Sequence, residues 1–318
     1  MHLAVGLCAA WFCCAAQAAT FKDLSIVTAD GPRQAILALP DNLPPGPHPL
    51  VLLLHGHGGG AKNTLGQGWM PASPLAAWIA IADREKLLVA ALQGSDKGDG
   101  HNGWNDCRGD APGNPPVDDV AFAEKLVQTE VQAGLADPHR IYVMGMSNGG
   151  VMSYRLALQM QPRPAAIAAA GASMPAASLC KDASAKVSVL LIAGTADPIM
   201  PYAGGEVHLL GRLRGSVISI DATRDFWLHA DGLDSGAGVS TAIPHLDPDD
   251  ASRISKMVYG KAGGVQVETL KVEGGGHSEP SIQYHYPALY RHFAGPQNHD
   301  LESAEEAWSF FKDKTGGG

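Results

Sequence analysis

The chain has 318 residues, 45% of them hydrophobic and 17% charged, with a formal net charge of −9. That composition supplies enough apolar surface for one sizeable core, and the length admits one or two domains. The acidic balance provides no basic face, which argues against nucleic acid or an anionic membrane as partner.

The first twenty residues contain no Lys, Arg, Asp or Glu, and residues 3–16 are almost wholly apolar. The run ends in the small-x-small sequence Ala16-Gln17-Ala18. This predicts a cleaved secretory signal over residues 1–18 and a single mature domain over 19–318, exported to the periplasm or the medium. The apolar run is shorter than the about 20 residues of a membrane span. Its only cationic groups are His2 and the α-amino group, and a buried N-terminal helix is the alternative reading. Cys8, Cys13 and Cys14 lie inside the segment, none in the Leu-small-small setting of a lipid anchor. Removal of the segment leaves Cys107 and Cys180, which fit one disulfide or two buried thiols equally well.

Beyond the leader, residues 21–39 read as a hairpin around Asp30-Gly31-Pro32. Residues 49–54 form a short, wholly apolar run of the kind a buried parallel strand produces. Helical spacing follows over 74–85, then another apolar strand over 87–92 and a long Gly/Asp/Asn loop over 94–116. Residues 117–135 predict an amphipathic helix with Asp118 and Asp119 in its first turn, where the helix dipole favours negative charge. A strand over 140–146 runs into a helix over 148–159, and further buried strands are expected at 165–170 and 187–193. From 204 to 263 the pattern weakens, with a helix over 222–230 and a loop-rich stretch after Asp231. A strand over 265–272 and a closing helix over 301–312 complete the chain. Alternation of strand and helix at short intervals predicts an α/β fold, a mostly parallel sheet with helices on both faces. No repeat and no Ser/Thr/Pro-rich linker marks off a tethered binding module.

Gly145-Met146-Ser147-Asn148-Gly149 fits G-x-S-x-G, in which flanking glycines let the backbone turn sharply from strand to helix beneath an exposed hydroxyl. In a chain with 38 glycines the motif alone is weak. Its setting strengthens it, because an apolar strand ends at Met146 and a helix-forming run begins at once. A serine nucleophile needs a base, and the base needs a carboxylate to fix its tautomer. In this architecture these arrive later in the order serine, acid, histidine, each in a loop after a strand. Asp197 follows the 187–193 strand in Gly194-Thr195-Ala196-Asp197, with Asp221 and Asp231 as fallback acids. His277 follows the 265–272 strand in Gly274-Gly275-Gly276-His277. An oxyanion hole requires two N–H donors, assigned to Asn148 and to His57 in the turn His55-Gly56-His57-Gly58-Gly59-Gly60. Two histidines without a third ligand do not make a metal site, and no phosphate-binding glycine motif is present, so no cofactor and no metal are expected.

These segments resemble the polyhydroxybutyrate depolymerase and feruloyl esterase group of α/β-hydrolases, which includes LpqC-like secreted esterases. The resemblance rests on Leu54-His55-Gly56, Gly103-Trp104-Asn105-Asp106, Asp118-Asp119-Val120-Ala121-Phe122, the serine motif through Met152, Gly194-Thr195-Ala196-Asp197-Pro198 and Gly274-Gly275-Gly276-His277. It implies Ser147 as nucleophile, Asp197 as acid, His277 as base and cofactor-free hydrolysis of a small-molecule or oligomeric ester. Two positions depart from the pattern. Ser278-Glu279-Pro280 stands where relatives carry Trp-Pro, so an aromatic wall of the cleft is expected to be absent, and His57 stands where cysteine is frequent. Trp104, Trp69 and Tyr202 are candidates to line the cleft, with ordinary packing as the alternative for each. Hydroxyalkanoate oligomers and feruloyl or acetyl esters all suit such a site. The competing readings are a serine peptidase or thioesterase, and a secreted binding protein that has lost catalysis.

Overall fold

The computed structural model describes residues 19–68, 73–180 and 186–316. The expected leader and Trp69 therefore lie outside the described residues. In chain order the strands are β1 (Thr20–Thr28), β2 (Gly31–Leu39), β3 (His48–Leu54), β4 (Leu88–Leu92), β5 (Ser95–Asp96), β6 (Asn102–Gly103), β7 (Ala136–Met146), β8 (Ala166–Ala170) and β9 (Ser188–Gly194). They continue with β10 (Gly205–Leu209), β11 (Arg212–Val217), β12 (Val239–Ala242), β13 (Arg253–Gly260) and β14 (Gln266–Glu273). The helices are α1 (Ala61–Thr64), α2 (Trp78–Glu85), α3 (Asp119–Gln132), α4 (Asn148–Gln159), α5 (Ile220–Asp231), α6 (Ala288–Ala294) and α7 (Ser303–Phe311).

Ten strands form one sheet in the order β1-β2-β4-β3-β7-β8-β9-β14-β13-β12. The central pairs from β4 to β14 are parallel, and the pairs at both edges are antiparallel. Strand β3 shows why the sheet is covered twice. Leu50, Leu52 and Leu54 point into a core shared with α3, α4 and α5. Val51 and Leu53 point the other way, into a core shared with α2 and α7. Side chains alternate across a strand, so an unbroken apolar run must be buried on both faces.

The region 204–263 departs from the sequence expectation. It contains the separate β10–β11 hairpin and two strands, β12 and β13, that extend the sheet. Every residue of β12 is exposed and β13 is only partly buried, as suits strands at a sheet edge. With little of β12 and only part of β13 buried, they leave little hydrophobic periodicity to read.

Asp119 also does more than favour a helix dipole. It is buried and paired with buried Arg33 at 2.6 Å, while its second oxygen accepts the Asn105 N–H at 2.8 Å. The pair thus ties β2 to α3 and anchors the loop that follows β6. Removing one partner of a buried ion pair strands the other charge. We therefore expect Asp119→Ala to lower the unfolding free energy by about 3–5 kcal/mol in urea denaturation.

Candidate active site

The parallel strands end along one edge of the sheet, where loops after β3, β7, β9 and β14 converge. Strand β7 delivers Ser147, the single residue between Met146 and the first residue of α4. Its backbone sits at φ 56°, ψ −122°, a conformation that costs a non-glycine residue about 1–3 kcal/mol. The neighbouring glycines make the turn possible. A Cβ on Gly145 would meet the Gly149 carbonyl at 2.2 Å, and one on Gly149 would meet the Leu54 carbonyl at 2.3 Å. The turn is held by the Ser147 N–H, which donates to the Ala170 carbonyl at 2.8 Å.

Strands β14 and β9 bring the remaining groups. His277 Nε2 lies 2.8 Å from Ser147 Oγ, and His277 Nδ1 lies 2.6 Å from Asp197 Oδ2. The other oxygen of Asp197 accepts the backbone N–H groups of Ile199 and Met200, each at 2.8 Å. The carboxylate is thereby oriented at both ends. His277 and Asp197 are buried, whereas Ser147 is partly exposed. The Gly-rich turn before His277 is packed against β9, since a Cβ on Gly194 would strike the Gly275 carbonyl at 2.3 Å. The fallback acids Asp221 and Asp231 both lie in α5 and make no contact with this histidine.

The turn after β3 runs beside the serine, with a Cβ on Gly56 falling 3.4 Å from Ser147 Cβ. Among the described residues neither the His57 N–H nor the Asn148 N–H has a backbone acceptor. Asn148 opens α4, so the positive end of that helix dipole faces the same spot. The Asn148 side chain is occupied elsewhere. Its Oδ1 accepts the Trp104 N–H at 2.8 Å, and its Nδ2 donates to the Trp104 carbonyl at 3.2 Å and to Asp106 Oδ2 at 2.5 Å. His57 is neutral near pH 7, because burial first and the nearby Arg214 cation second bring its pKa down to about 4.

Beside Ser147 opens a small cleft. His57, Asn148, Arg108, Asn114, Met200 and Arg214 line it, together with Val207 and Leu209 from the β10–β11 hairpin. Two expectations about its walls are corrected. Trp104 does not line the cleft: it is 1% exposed and its indole N–H donates to the His55 carbonyl at 2.8 Å, so it packs beneath the loop. Tyr202 lines a separate cavity with Asp221, Arg224 and Lys271. Glu279 is buried below the site, where its carboxylate accepts the Tyr286 hydroxyl at 2.8 Å and burial pushes its pKa up.

Cys107 and Cys180 are disulfide-bonded, with Cα atoms 5.4 Å apart, and join the loop carrying Arg108 to the segment after β8. The wall residues Arg108, Asn114 and Arg214 did not stand out in the sequence. Asp106, which binds Arg108 and Asn114, lies in the Gly103-Trp104-Asn105-Asp106 segment. The hairpin carrying Arg214 shows only brief alternation around Leu210-Gly211.

The sequence profile of a family described as phospholipase/carboxylesterase matches residues 45–209, just over half of the chain. The chain belongs to that family. NocK of Nocardia uniformis subsp. tsuyamanensis, named as an esterase, is 28% identical over 276 residues, covering 84% of this chain and 75% of NocK. Feruloyl esterase C of Emericella nidulans is 28% identical over 176 residues, which span 54% of this chain and 58% of that relative. Among solved structures, an acetyl xylan esterase from Aspergillus awamori superposes with TM-score 0.59 at 12% identity, over 92% of this chain and 99% of the other. A thermostable esterase gives TM-score 0.53 at 13% identity, over 93% and 63%. The fold is that of an α/β-hydrolase. As a member of the carboxylesterase family, the chain is a carboxylic ester hydrolase acting on small-molecule esters.

The Gly-rich turn after β3 is pinned by His55. Its Nδ1 donates to the Gly56 carbonyl at 2.7 Å and its Nε2 accepts the Gly94 N–H at 3.0 Å. Both ring nitrogens are used, so the ring has no atom free for a metal. Protonation at Nε2 would break the Gly94 bond, and burial takes the His55 pKa down to about 4. A depressed folded-state pKa gives stability that is present above the unfolded value of about 6.5 and is lost as pH falls toward the folded one. We expect this residue to account for a loss of about 3 kcal/mol between pH 6.5 and 4. The difference between urea-unfolding profiles of wild type and His55→Asn measures that loss.

Proposed function

We propose that this protein is a secreted serine esterase that works through an acyl-enzyme, with Ser147 as nucleophile, His277 as base and Asp197 as the acid that orients it. The observation that carries the reading is the pair of contacts made by the His277 ring, 2.8 Å to Ser147 Oγ and 2.6 Å to Asp197 Oδ2. With the Asp197 carboxylate accepting from Nδ1–H, Nε2 is left to take the Ser147 proton as Oγ attacks the ester carbonyl. The N–H groups of His57 and Asn148 then hold the oxyanion, and the dipole of α4 adds to their field. His277 returns the proton to the departing alcohol. Water repeats the sequence on the acyl-enzyme and releases the acid.

The substrates that suit this reading are hydroxyalkanoate oligomers and feruloyl or acetyl esters. Secretion is part of the same proposal. It draws on the apolar run that ends at Ala16-Gln17-Ala18 and on the Cys107–Cys180 disulfide, since disulfides persist in oxidising compartments. The mature protein is then one catalytic domain starting at Ala19. Terminal sequencing of exported protein is expected to read Ala19-Thr20-Phe21, and retention of Met1 would count against export.

Ser147→Ala is expected to abolish hydrolysis of 4-nitrophenyl butyrate while leaving the circular dichroism spectrum unchanged. Asp197→Asn is expected to lower kcat by roughly a thousand- to ten-thousandfold, because the histidine loses its oriented tautomer. Wild-type turnover that survives in Ser147→Ala would rule out this mechanism.

A further inference from the structure

Two arginines line the cleft beside Ser147, and they are placed very differently. Arg108 is fully committed. Its Nε and Nη2 donate to the Asp106 carboxylate at 3.1 and 2.6 Å, and its Nη1 donates to the Arg214 carbonyl at 2.6 Å. Asp106 has no exposed surface and also accepts from Asn114 and Asn148, so this charge pair is internally satisfied.

Arg214 has no such partners. Its side chain is only 12% exposed, yet its guanidinium makes no hydrogen bond to any described residue, and its buried Nε has no partner. The nearest carboxylate, Asp99, lies at 3.9 Å and is itself one-third exposed. The side chain is also given a seat. A Cβ on Gly113 would fall 2.2 Å from Arg214 Nη1, so glycine leaves room for the guanidinium. The backbone beneath is fixed by Arg108 on the Arg214 carbonyl and by the Ser216 hydroxyl, which donates to Asp110 at 2.5 Å. An arginine that merely covers apolar surface keeps its head in water. This one holds its head in the cleft, and the neighbouring His57 is neutral. Burying a cation without hydrogen-bonding partners is costly, and a guanidinium fork matches a carboxylate or phosphate, of which a carboxylate is the anion an ester substrate readily carries.

We infer that Arg214 is a specificity-determining residue, and that the substrate is an ester carrying a free carboxylate, bound by the Arg214 guanidinium while Ser147 attacks the ester carbonyl. The inference rests on the esterase reading above. It separates the candidate substrates, because a hydroxyalkanoate oligomer with a free acid end carries such a group, whereas an acetyl or feruloyl ester of a neutral sugar does not.

Two pairs of matched esters test it on the whole mature protein. Mono-4-nitrophenyl glutarate against 4-nitrophenyl valerate places the carboxylate on the acyl side. The dimer of 3-hydroxybutyrate against its methyl ester, followed at the central ester bond, places it on the alcohol side. The carboxylate member of at least one pair is expected to have the higher kcat/KM, by about tenfold or more. Arg214→Gln is expected to cut that ratio by about tenfold, and Arg214→Lys, which keeps the charge, to hold the ratio above that of the glutamine variant. A parallel loss on both members of a pair would mark Arg214 as structural and overturn the inference. Equal wild-type kcat/KM within both pairs overturns it too, and needs no variant to fold. Failure of wild type to hydrolyse any of the four esters would instead overturn the esterase reading, and this inference with it.

Discussion

The chain must pass from an extended strand to a helix within one residue, and the site is built around that constraint. At Ser147 the backbone takes a positive φ that serine disfavours. What holds it there is packing on every side. Gly145 and Gly149 allow backbone contacts no side chain would tolerate, and Gly150 does the same against Ala172, where a Cβ would approach to 2.5 Å. The same sharp turn starts α4 at Asn148. One local geometry therefore exposes the hydroxyl and aims an unpaired N–H and a helix dipole at the place where negative charge would develop.

From that turn a continuous set of polar contacts runs outward to the substrate wall. Asn148 binds Asp106, Asp106 holds Arg108, and Arg108 donates to the carbonyl of Arg214 on the β10–β11 hairpin. Two further ties brace the same loops. Asp119 anchors Asn105 from α3, and the Cys107–Cys180 disulfide joins the loop carrying Arg108 to the segment after β8. The hairpin is pinned from the other side as well, where the Ala176 N–H donates to the Ser216 carbonyl and the Ile218 N–H to the Met174 carbonyl. A wall assembled from loops can thus hold a side chain such as Arg214 in a fixed place, which loops without such ties do not achieve.

How much of this was legible in the sequence follows from what each element buries. Strands β3, β7 and β9 are covered on both faces, so they appear as short apolar runs and place Ser147 and Asp197 directly after their ends. His277 follows β14 through three glycines, and the fold brings all three residues within hydrogen-bonding distance. The edge strand β12 and the β10–β11 hairpin bury little, so they leave no comparable signal. Side-chain destinations were harder still. Trp104 and Tyr202 read as candidate cleft aromatics, but an indole N–H satisfied by the His55 carbonyl and a ring lining a separate cavity are long-range outcomes. Likewise nothing local announces that Asp119 meets Arg33 across 86 residues. Glu279 is a buried acid held by Tyr286, a contact that its local sequence does not announce.

We propose the strained serine at the head of α4 as the carrier of the reacting oxygen. Reaction of the mature protein with a fluorophosphonate, followed by intact mass and peptide mapping, tests this most directly. A single adduct is expected, located on Ser147, whose formation is blocked in His277→Ala because the hydroxyl then has no base. An adduct on a different residue, or no adduct in a folded protein that hydrolyses 4-nitrophenyl butyrate, would contradict it.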